Sequence, residues 1–168
     1  LIEDSSEAFV YLSNDILARI NVQSGNIIRE YPIKNQKNLL LASDNINKIL
    51  AGASLDGKIT IYKYFQSVSG EQIRELNQFN IDQSISTIEI IPDKGFVIVG
   101  TTKGFLYAFN YRTGVEVFNK GTHNDKINMI ISTKDENYLF SAGNDGYIVR
   151  TSLEDNYEQK RIKNHNKA

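Results

Sequence analysis

Glycine recurs along this chain at three sets of positions that share nearly the same period. Nine of the 11 glycines belong to these sets, and consecutive members of a set lie 42 to 48 residues apart. The sets are Gly25, Gly70 and Gly114; Gly52, Gly100 and Gly143; and Gly57, Gly104 and Gly146. A spacing that repeats in three registers indicates that one structural unit of this length is built several times.

The residues around these glycines are typical of tight turns. One set follows a turn-forming residue in most copies, as Asp56-Gly57, Lys103-Gly104 and Asp145-Gly146. Asp-Gly favours a two-residue hairpin turn, because both central residues of that turn have positive φ. The set with Gly114 marks a second hairpin, and its fourth copy falls on Asn156, a residue type that tolerates positive φ. At the set with Gly100 we expect a strand end that passes close to a neighbour.

Short apolar, β-branched and aromatic runs lie between the turns. Residues 96–99 read Phe-Val-Ile-Val, and residues 105–109 read Phe-Leu-Tyr-Ala-Phe. Buried helices are the competing interpretation, but turn signals recur about every 8–12 residues, which favours strands. We therefore predict an all-β chain.

Units of this length with four antiparallel strands are typical of β-propeller blades. We letter the strands of a blade A to D from the central channel outward. The predicted units are residues 1–36 (strands B to D of an incomplete first blade), 37–78, 79–121 and 122–163, with a basic tail at 164–168. The polar residues 1–7 do not supply a strand A.

Propellers contain roughly four to eight blades, and this chain starts inside a blade with Leu1. We expect it to be part of a longer protein, and we expect the missing blades to come from the rest of that chain or from a partner. An open propeller leaves strand edges and an apolar sheet face exposed. A closed four-bladed ring is the alternative.

The fourth unit carries the clearest family resemblance. It contains Gly121-Thr122-His123, then Ile127 and Asp135, then Leu-Phe-Ser-Ala-Gly-Asn-Asp-Gly-Tyr-Ile at residues 139–148. This order resembles the WD40 repeat, with its Gly-His, aliphatic, Asp and Leu-x-Ser-Gly-x-x-Asp-Gly-x-Ile pattern. The resemblance covers about residues 8–163 and implies a WD40-type β-propeller, incomplete, of about four blades.

By the same resemblance, His123, Ser141 and Asp145 form a buried hydrogen-bond network that ties the loops of one blade together. Such a network satisfies polar groups that would cost about 1–3 kcal/mol each if buried unpaired. The Trp-Asp dipeptide that names the family is absent, so the network would lack its Trp partner. The corresponding places hold Tyr62-Lys63, Phe109-Asn110, Thr151-Ser152 and, in the first unit, Ile20-Asn21.

Two segments together resemble a narrower class, the large cilia- and flagella-associated WD-repeat proteins. They are residues 95–104 and residues 135–146, with Tyr-Leu-Phe-Ser at the centre of the second. In that class the propellers are followed by coiled coil and dock on microtubule-based assemblies. The resemblance implies a place in the ciliary axoneme and microtubule association.

Catalytic interpretations have less support. His123, Ser141 and Asp145 are the residue types of a hydrolase triad, but the Gly-x-Ser-x-Gly turn that exposes a nucleophilic serine is absent. Residues 100–104 lack the spacing of a phosphate-binding loop. We expect no enzyme activity and no bound cofactor.

Acidic and metal-binding sites are also not predicted. Asp82, Glu89 and Asp93 flank one strand and do not make a convincing acid–base pair. The two histidines, His123 and His165, lie 42 residues apart, and neither belongs to a cluster of metal ligands.

Charge and composition restrict the partners. The chain has 19 basic and 20 acidic side chains, a balance that argues against nucleic acid and anionic membrane. No apolar run approaches the roughly 20 residues of a membrane span.

The absence of cysteine and of Asn-x-Ser/Thr favours an intracellular, cytoplasmic location. For the basic residues from Lys160 to Lys167 three interpretations stay open: a solvated strand end and frayed terminus, a contact for an acidic surface such as tubulin, or the start of a helix that continues onward.

The sequence therefore predicts a non-catalytic protein–protein interaction scaffold in a large assembly. Rigid scaffolds present their loops for recognition, and the predicted contact loops are residues 77–83, 120–125, 43–47 and 92–95. Residues 65–68 extend the outer hairpin between strands C and D of the second unit, as either a partner contact or a tolerated insertion. The alternatives are the propeller domain of a larger enzyme, which requires a nucleophile-bearing segment elsewhere, and an RNA-associated propeller, which requires a basic groove with aromatic platforms.

Overall fold

The computed structural model describes residues 6–12, 15–33 and 40–163, and within these ranges the chain forms 15 β-strands and no helix. They fall into four sheets. The first contains β1 (Glu7–Leu12), β2 (Ile16–Asn21) and β3 (Ile27–Pro32); the second β4 (Leu40–Asp44), β5 (Ile49–Ala53), β6 (Lys58–Ser67) and β7 (Gly70–Asn80). The third contains β8 (Ile85–Ile91), β9 (Phe96–Thr101), β10 (Phe105–Asn110) and β11 (Val115–Gly121); the fourth β12 (Ile127–Ser132), β13 (Tyr138–Gly143), β14 (Tyr147–Ser152) and β15 (Gln159–Lys163).

Each sheet is an antiparallel meander in which sequence neighbours pair. The sheets are separate hydrogen-bonded units, and strand β8 packs against both β4 and β12, the innermost strands of the adjacent sheets. This places the sheets side by side around a common inner edge, as propeller blades are placed. The all-β propeller prediction is confirmed; the boundaries between the predicted units stay predictions.

The hydrophobic core lies between the sheets. Three buried clusters join the first sheet to the second, the second to the third, and the third to the fourth. Between the second and third sheets, the rings of Phe79 and Phe109 stack with centroids 4.5 Å apart. Both faces of a middle sheet are therefore buried by its neighbours, which suits the near-continuous apolar character of β5 and β9.

The outer hairpin of the second sheet is extended, as its sequence predicts. Residues 65–68 lengthen the hairpin between strands C and D: β6 continues to Ser67 and pairs with β7 from Gly70 onward. The turn contains only Val68 and Ser69, and strand pairing satisfies the backbone groups that a loop would leave to solvent. Residues 77–80, expected in a connection, also belong to β7.

The glycine turns have a fourth member that is not glycine. Gly57 and Gly104 have positive φ, and their carbonyl groups accept hydrogen bonds from Ile81 N and Thr122 N, where the chain leaves each sheet. In the first sheet Asp15 has φ of 59° and its carbonyl accepts from Ile33 N in the same way. Aspartate is among the few residues that tolerate this region, so the repeat continues where the glycine pattern stops.

One predicted glycine set is not a single structural position. The turn glycines donate to Ser54 O, Thr101 O and Gly143 O, each at 3.2 Å. Gly143 is therefore equivalent to Ser54 and Thr101, and not to Gly52 and Gly100. The close approach expected at this set is present but differs between its members. A Cβ on Gly100 would lie 2.8 Å from the Thr87 side chain, whereas one on Gly143 would lie 2.5 Å from the His123 ring.

The G104A variant should lose more stability than the matched variant G25A. Both glycines have positive φ, but a Cβ on Gly25 meets open space and one on Gly104 would lie 2.1 Å from His123 O. The left-handed backbone alone costs about 1–2 kcal/mol for a residue with a Cβ, and the clash adds to it at residue 104. Chemical unfolding of the two variants measures the difference. Equal losses of stability would contradict the close contact between Gly104 and the backbone of His123.

Candidate functional site

At one end of the sheets, the two connections between blades that the structure describes in full each cross a turn of the blade that the chain has left. Residues 81–84 cross the turn at Gly57, and residues 122–126 cross the turn at Gly104. Gly104 O accepts hydrogen bonds from Thr122 N and His123 N at 2.9 Å each, and Gly57 O accepts from Ile81 N at 3.0 Å. Each crossing is therefore fixed by backbone contacts.

His123 then fastens the second crossing to the fourth blade. Its Nδ1 lies 2.9 Å from Asp145 Oδ1 and its Nε2 lies 2.9 Å from Ser141 Oγ. His123 and Ser141 are buried, and Gly143 leaves the space for the imidazole ring. The structure thus brings together the three residues that sequence reasoning grouped; their stabilising role stays a prediction.

Asp145 is the anchor of this group. Its carboxylate also accepts hydrogen bonds from Asn124 N at 2.9 Å and Tyr147 N at 3.2 Å. Burial by itself would raise the pKa of Asp145, but the hydrogen bonds from Asn124 N, His123 and Tyr147 N outweigh it and lower the pKa below its ordinary value. An ionised carboxylate therefore binds the connecting loop and the turn of the next blade together.

The arrangement is not that of an accessible nucleophile. Ser141 lies within β13 and only 1% of its surface is exposed, so a substrate has no path to its hydroxyl in this structure. A catalytic serine must reach the reacting carbon directly. The hydrogen bonds of His123 with Ser141 and Asp145, which resemble those of a catalytic triad, therefore join the connecting segment 122–126 to the fourth blade.

Polar side chains occupy the place where the WD40 pattern has Trp. Thr151 is buried, and Gln159 Nε2 donates to Thr122 Oγ1 at 2.7 Å and to Thr151 Oγ1 at 3.4 Å. Thr122 O in turn accepts from Arg161 at 3.1 Å. Sequence reasoning did not find Gln159 and named Thr122 only as part of a motif and a loop. The available signal was Thr151, a threonine in a place that is aromatic in two other units.

In the third blade, Gln83 joins the connecting segment to the blade that follows it, as His123 does in the fourth blade. Thr101 Oγ1 donates to Gln83 Oε1 at 2.8 Å, and Gln83 Nε2 donates to Tyr107 OH at 2.9 Å. Thr101 Oγ1 also accepts from Phe105 N at 3.0 Å. Gln83 was predicted only as a loop residue, since no familiar motif marks it. In the second blade, Ser54 Oγ donates to Asp56, and the connection into that blade lies outside the described residues.

The other acidic candidates do not converge. Glu89 accepts a hydrogen bond from Ser132 in the next blade at 3.2 Å, Asp93 N donates to Glu136, and Asp82 is exposed. Burial raises the pKa of Glu89 above its ordinary value. A cavity of about 290 Å³ adjoins Glu89, and its other lining residues carry no ionisable side chain.

Residues 6–12, 15–33 and 40–163, which the structure describes, bear on metal binding and on a membrane span. That part of the chain contains no group of three or more His, Cys, Asp and Glu side chains suited to a metal ion. It also contains no helix able to cross a bilayer. His165 and the predicted basic tail at 164–168 lie outside the described residues.

The end of the sheets that carries these crossings presents a varied surface. Exposed residues at the turns and connections include apolar, basic and acidic types: Leu55, Asp56, Thr102, Lys103, Asn124, Asp125 and Lys126. Because the backbone beneath them is fastened at both ends, these side chains project from fixed positions. The surface combines rigidity with mixed polarity, as recognition loops do.

Comparison with solved structures identifies the fold. A chain in a crystal structure of the mitotic checkpoint complex superposes on 96% of this chain with a TM-score of 0.78 and 15% sequence identity. The aligned region is 49% of that chain, so this chain spans about half its length. No protein-family model matches the sequence, and no curated protein matches it.

The fold is a WD40-like β-propeller. In all, 1309 solved chains match it, and a fold this widely shared does not by itself select one function. The resemblance of the fourth unit to the WD40 repeat thus agrees with the fold. The narrower ciliary resemblance finds no support in the comparisons.

The H123A variant should be less stable than the wild-type protein by roughly 1–2 kcal/mol, because Ser141 and Asp145 lose their buried partner. The matched control is N128A, which removes an exposed side-chain hydrogen bond to Asn144 and should change stability by less than about 0.5 kcal/mol. Thermal and chemical unfolding compare the two. An unchanged melting temperature for H123A would contradict a stabilising network.

Proposed function

We propose that this chain is part of a non-catalytic protein–protein interaction scaffold. The observation that carries the proposal is the double fastening of the connecting loops, by backbone bonds to one blade and by His123 or Gln83 to the next. Loops held in this way lose little conformational entropy on binding, which favours recognition. The solved chain with the same fold was crystallised in a protein complex, which is in keeping with protein partners.

The partners we propose are other proteins of a large assembly, and further blades supplied by the rest of the chain or by a partner complete the ring. Catalysis is disfavoured because the His123, Ser141 and Asp145 side chains are engaged with one another beneath the surface. A near-neutral net charge of −1 disfavours nucleic acid. The location proposed from composition is the cytoplasm.

The double charge reversal K103E/K126E should weaken partner binding, because both lysines are exposed on the connecting-loop surface. Charge reversal at an interface typically lowers the association rate and costs several-fold or more in affinity. The control is E116K, a reversal on the exposed outer strand β11. Quantitative co-purification from the source cell compares the three proteins; equal recovery of all partners would contradict the loop surface as the binding site.

The ciliary axoneme is the more specific location that we propose, with microtubule association. It rests on the resemblance of residues 95–104 and 135–146 to cilia- and flagella-associated proteins. A tagged form of the protein should concentrate in cilia or flagella of the source cell. A signal confined to the cell body, together with no binding to microtubules in sedimentation, would contradict this location and leave the scaffold proposal standing.

A further inference from the structure

The repeat allows one sheet face to be compared across four blades. Leu17, Ile59 and Leu106 occupy the same place, the second residue of strand C, and each is 0% exposed beneath the following blade. The fourth member, Ile148, is partly exposed. Beside it, Met129, Ile131 and Ile162 are 58%, 52% and 42% exposed. We call this apolar surface, with Phe140, the open face.

The open face shares an aromatic residue, an arginine and a second basic residue with the corresponding face of the first blade. One place differs: Arg19 also forms an ion pair with Glu7 of its own blade, and Tyr138 stands at that place in the fourth blade. Phe9 pairs with Arg19 across β1 and β2, and Phe140 pairs with Arg150 across β13 and β14. The next strand adds a second basic residue in each case, Arg29 opposite Arg19 and Lys160 opposite Arg150. In the two middle blades the arginine position holds the apolar residues Ile61 and Ala108.

The first blade shows what covers such a face. Arg19 forms an ion pair with Glu71 of β7, and Tyr31 OH donates to the other oxygen of that carboxylate. Phe9 packs on Tyr64 of the same covering blade, with ring centroids 5.2 Å apart. Burial would raise the pKa of Glu71, but the contacts with Arg19 and Tyr31 lower it, so the carboxylate is ionised in this interface.

The carboxylate comes from an unusual part of the covering blade. Glu71 pairs with Gln66 in the long outer hairpin of the second sheet. Strands β10 and β14 end at Asn110 and Ser152, before the corresponding position, so the third and fourth blades carry no such extension. Glu71 is already paired with Arg19 of the same chain. A second copy of this chain therefore has no unpaired carboxylate at this hairpin position for Arg150.

Arg150 has no carboxylate partner among the residues that the structure describes. Its guanidinium stacks on Tyr138, 4.5 Å from the ring centroid. Covering the open face with an apolar surface would bury this charge uncompensated, which is unfavourable. The covering surface must therefore combine apolar area with an anion placed for Arg150.

We propose that the open face is covered by a further propeller blade whose extended outer hairpin presents a carboxylate to Arg150 and Lys160 and an aromatic ring to Phe140. This inference rests on the proposed role of the chain within a larger ring. The half-length match to a longer solved propeller is consistent with such a neighbour. The partner is thus defined by its chemistry. It is an acidic hairpin on a β-sheet, and neither a lipid surface nor a second copy of this chain.

Thiol labelling of the full-length protein in its native complex tests the proposal. The sequence contains no cysteine, so I131C and V68C report on their own peptides by mass spectrometry. Val68 lies at a fully exposed hairpin turn. Cys at 131 should react at least about tenfold more slowly than Cys at 68, because a covered thiol must wait for local opening. Equal rates would overturn the proposal.

Charge substitutions then test the anion. R150E in the I131C background should bring labelling close to that at position 68, and R150K should preserve most of the protection. The control E116K, a reversal on the exposed strand β11 of the third blade, should leave the protection unchanged. If R150E is poorly folded, R150Q serves, with partial loss of protection expected. Protection that is insensitive to residue 150 would overturn the carboxylate partner.

A photo-crosslinker in place of Phe140 identifies the occupant. The expected adduct is a strand-forming peptide with Asp or Glu from another blade; an adduct with these 168 residues of a second copy, or with lipid, would overturn the proposal. Loss of partners in K103E/K126E with the open face still protected supports both proposals. If the open face is protected and K103E/K126E recovers all partners, the result supports the covering blade but not the loop surface as the binding site.

Discussion

Face-to-face packing between sheets is the interaction on which the rest of this structure depends. In β5 all five residues are buried, and in β9 five of six, so these two strands of the middle blades have no solvent-facing side. Among the described residues the sheets share no strand pairing, and the second and third sheets make buried apolar contacts with both of their neighbours. A single unit cannot bury both faces by itself, which is the physical reason that the unit recurs.

The same constraint explains the loop network. Blades that pack only through side chains need a device that fixes their relative position, and the crossing segments supply it. His123 with Asp145 and Ser141, and Gln83 with Thr101 and Tyr107, are different solutions to one problem: each satisfies a buried polar chain segment while joining two blades. Loss of the aromatic partner in the fourth blade is accommodated by Gln159, whose amide bridges two threonine hydroxyls.

Charged residues distinguish otherwise similar faces. The interfaces between the second, third and fourth blades are apolar at the place where the first and fourth sheets carry arginine. A buried ion pair contributes little net stability compared with apolar packing, but it disfavours partners that lack the opposite charge. Arg19 and Glu71 form such a pair in a partly exposed setting, and the proposal for Arg150 applies the same reasoning to the open face.

The sequence by itself determined the all-β architecture, most strand positions and the grouping of His123, Ser141 and Asp145. These features are local or repeat at a fixed spacing: a turn at Gly104 requires positive φ, and a strand requires a short apolar run between turns. Only the tertiary structure showed that Asp15 continues the turn series, that Gly143 is equivalent to Thr101, and that Arg19 matches Arg150. Arg19 meets Glu71, 52 residues away, and no local pattern encodes such a contact, because packing between sheets decides which side chains face each other.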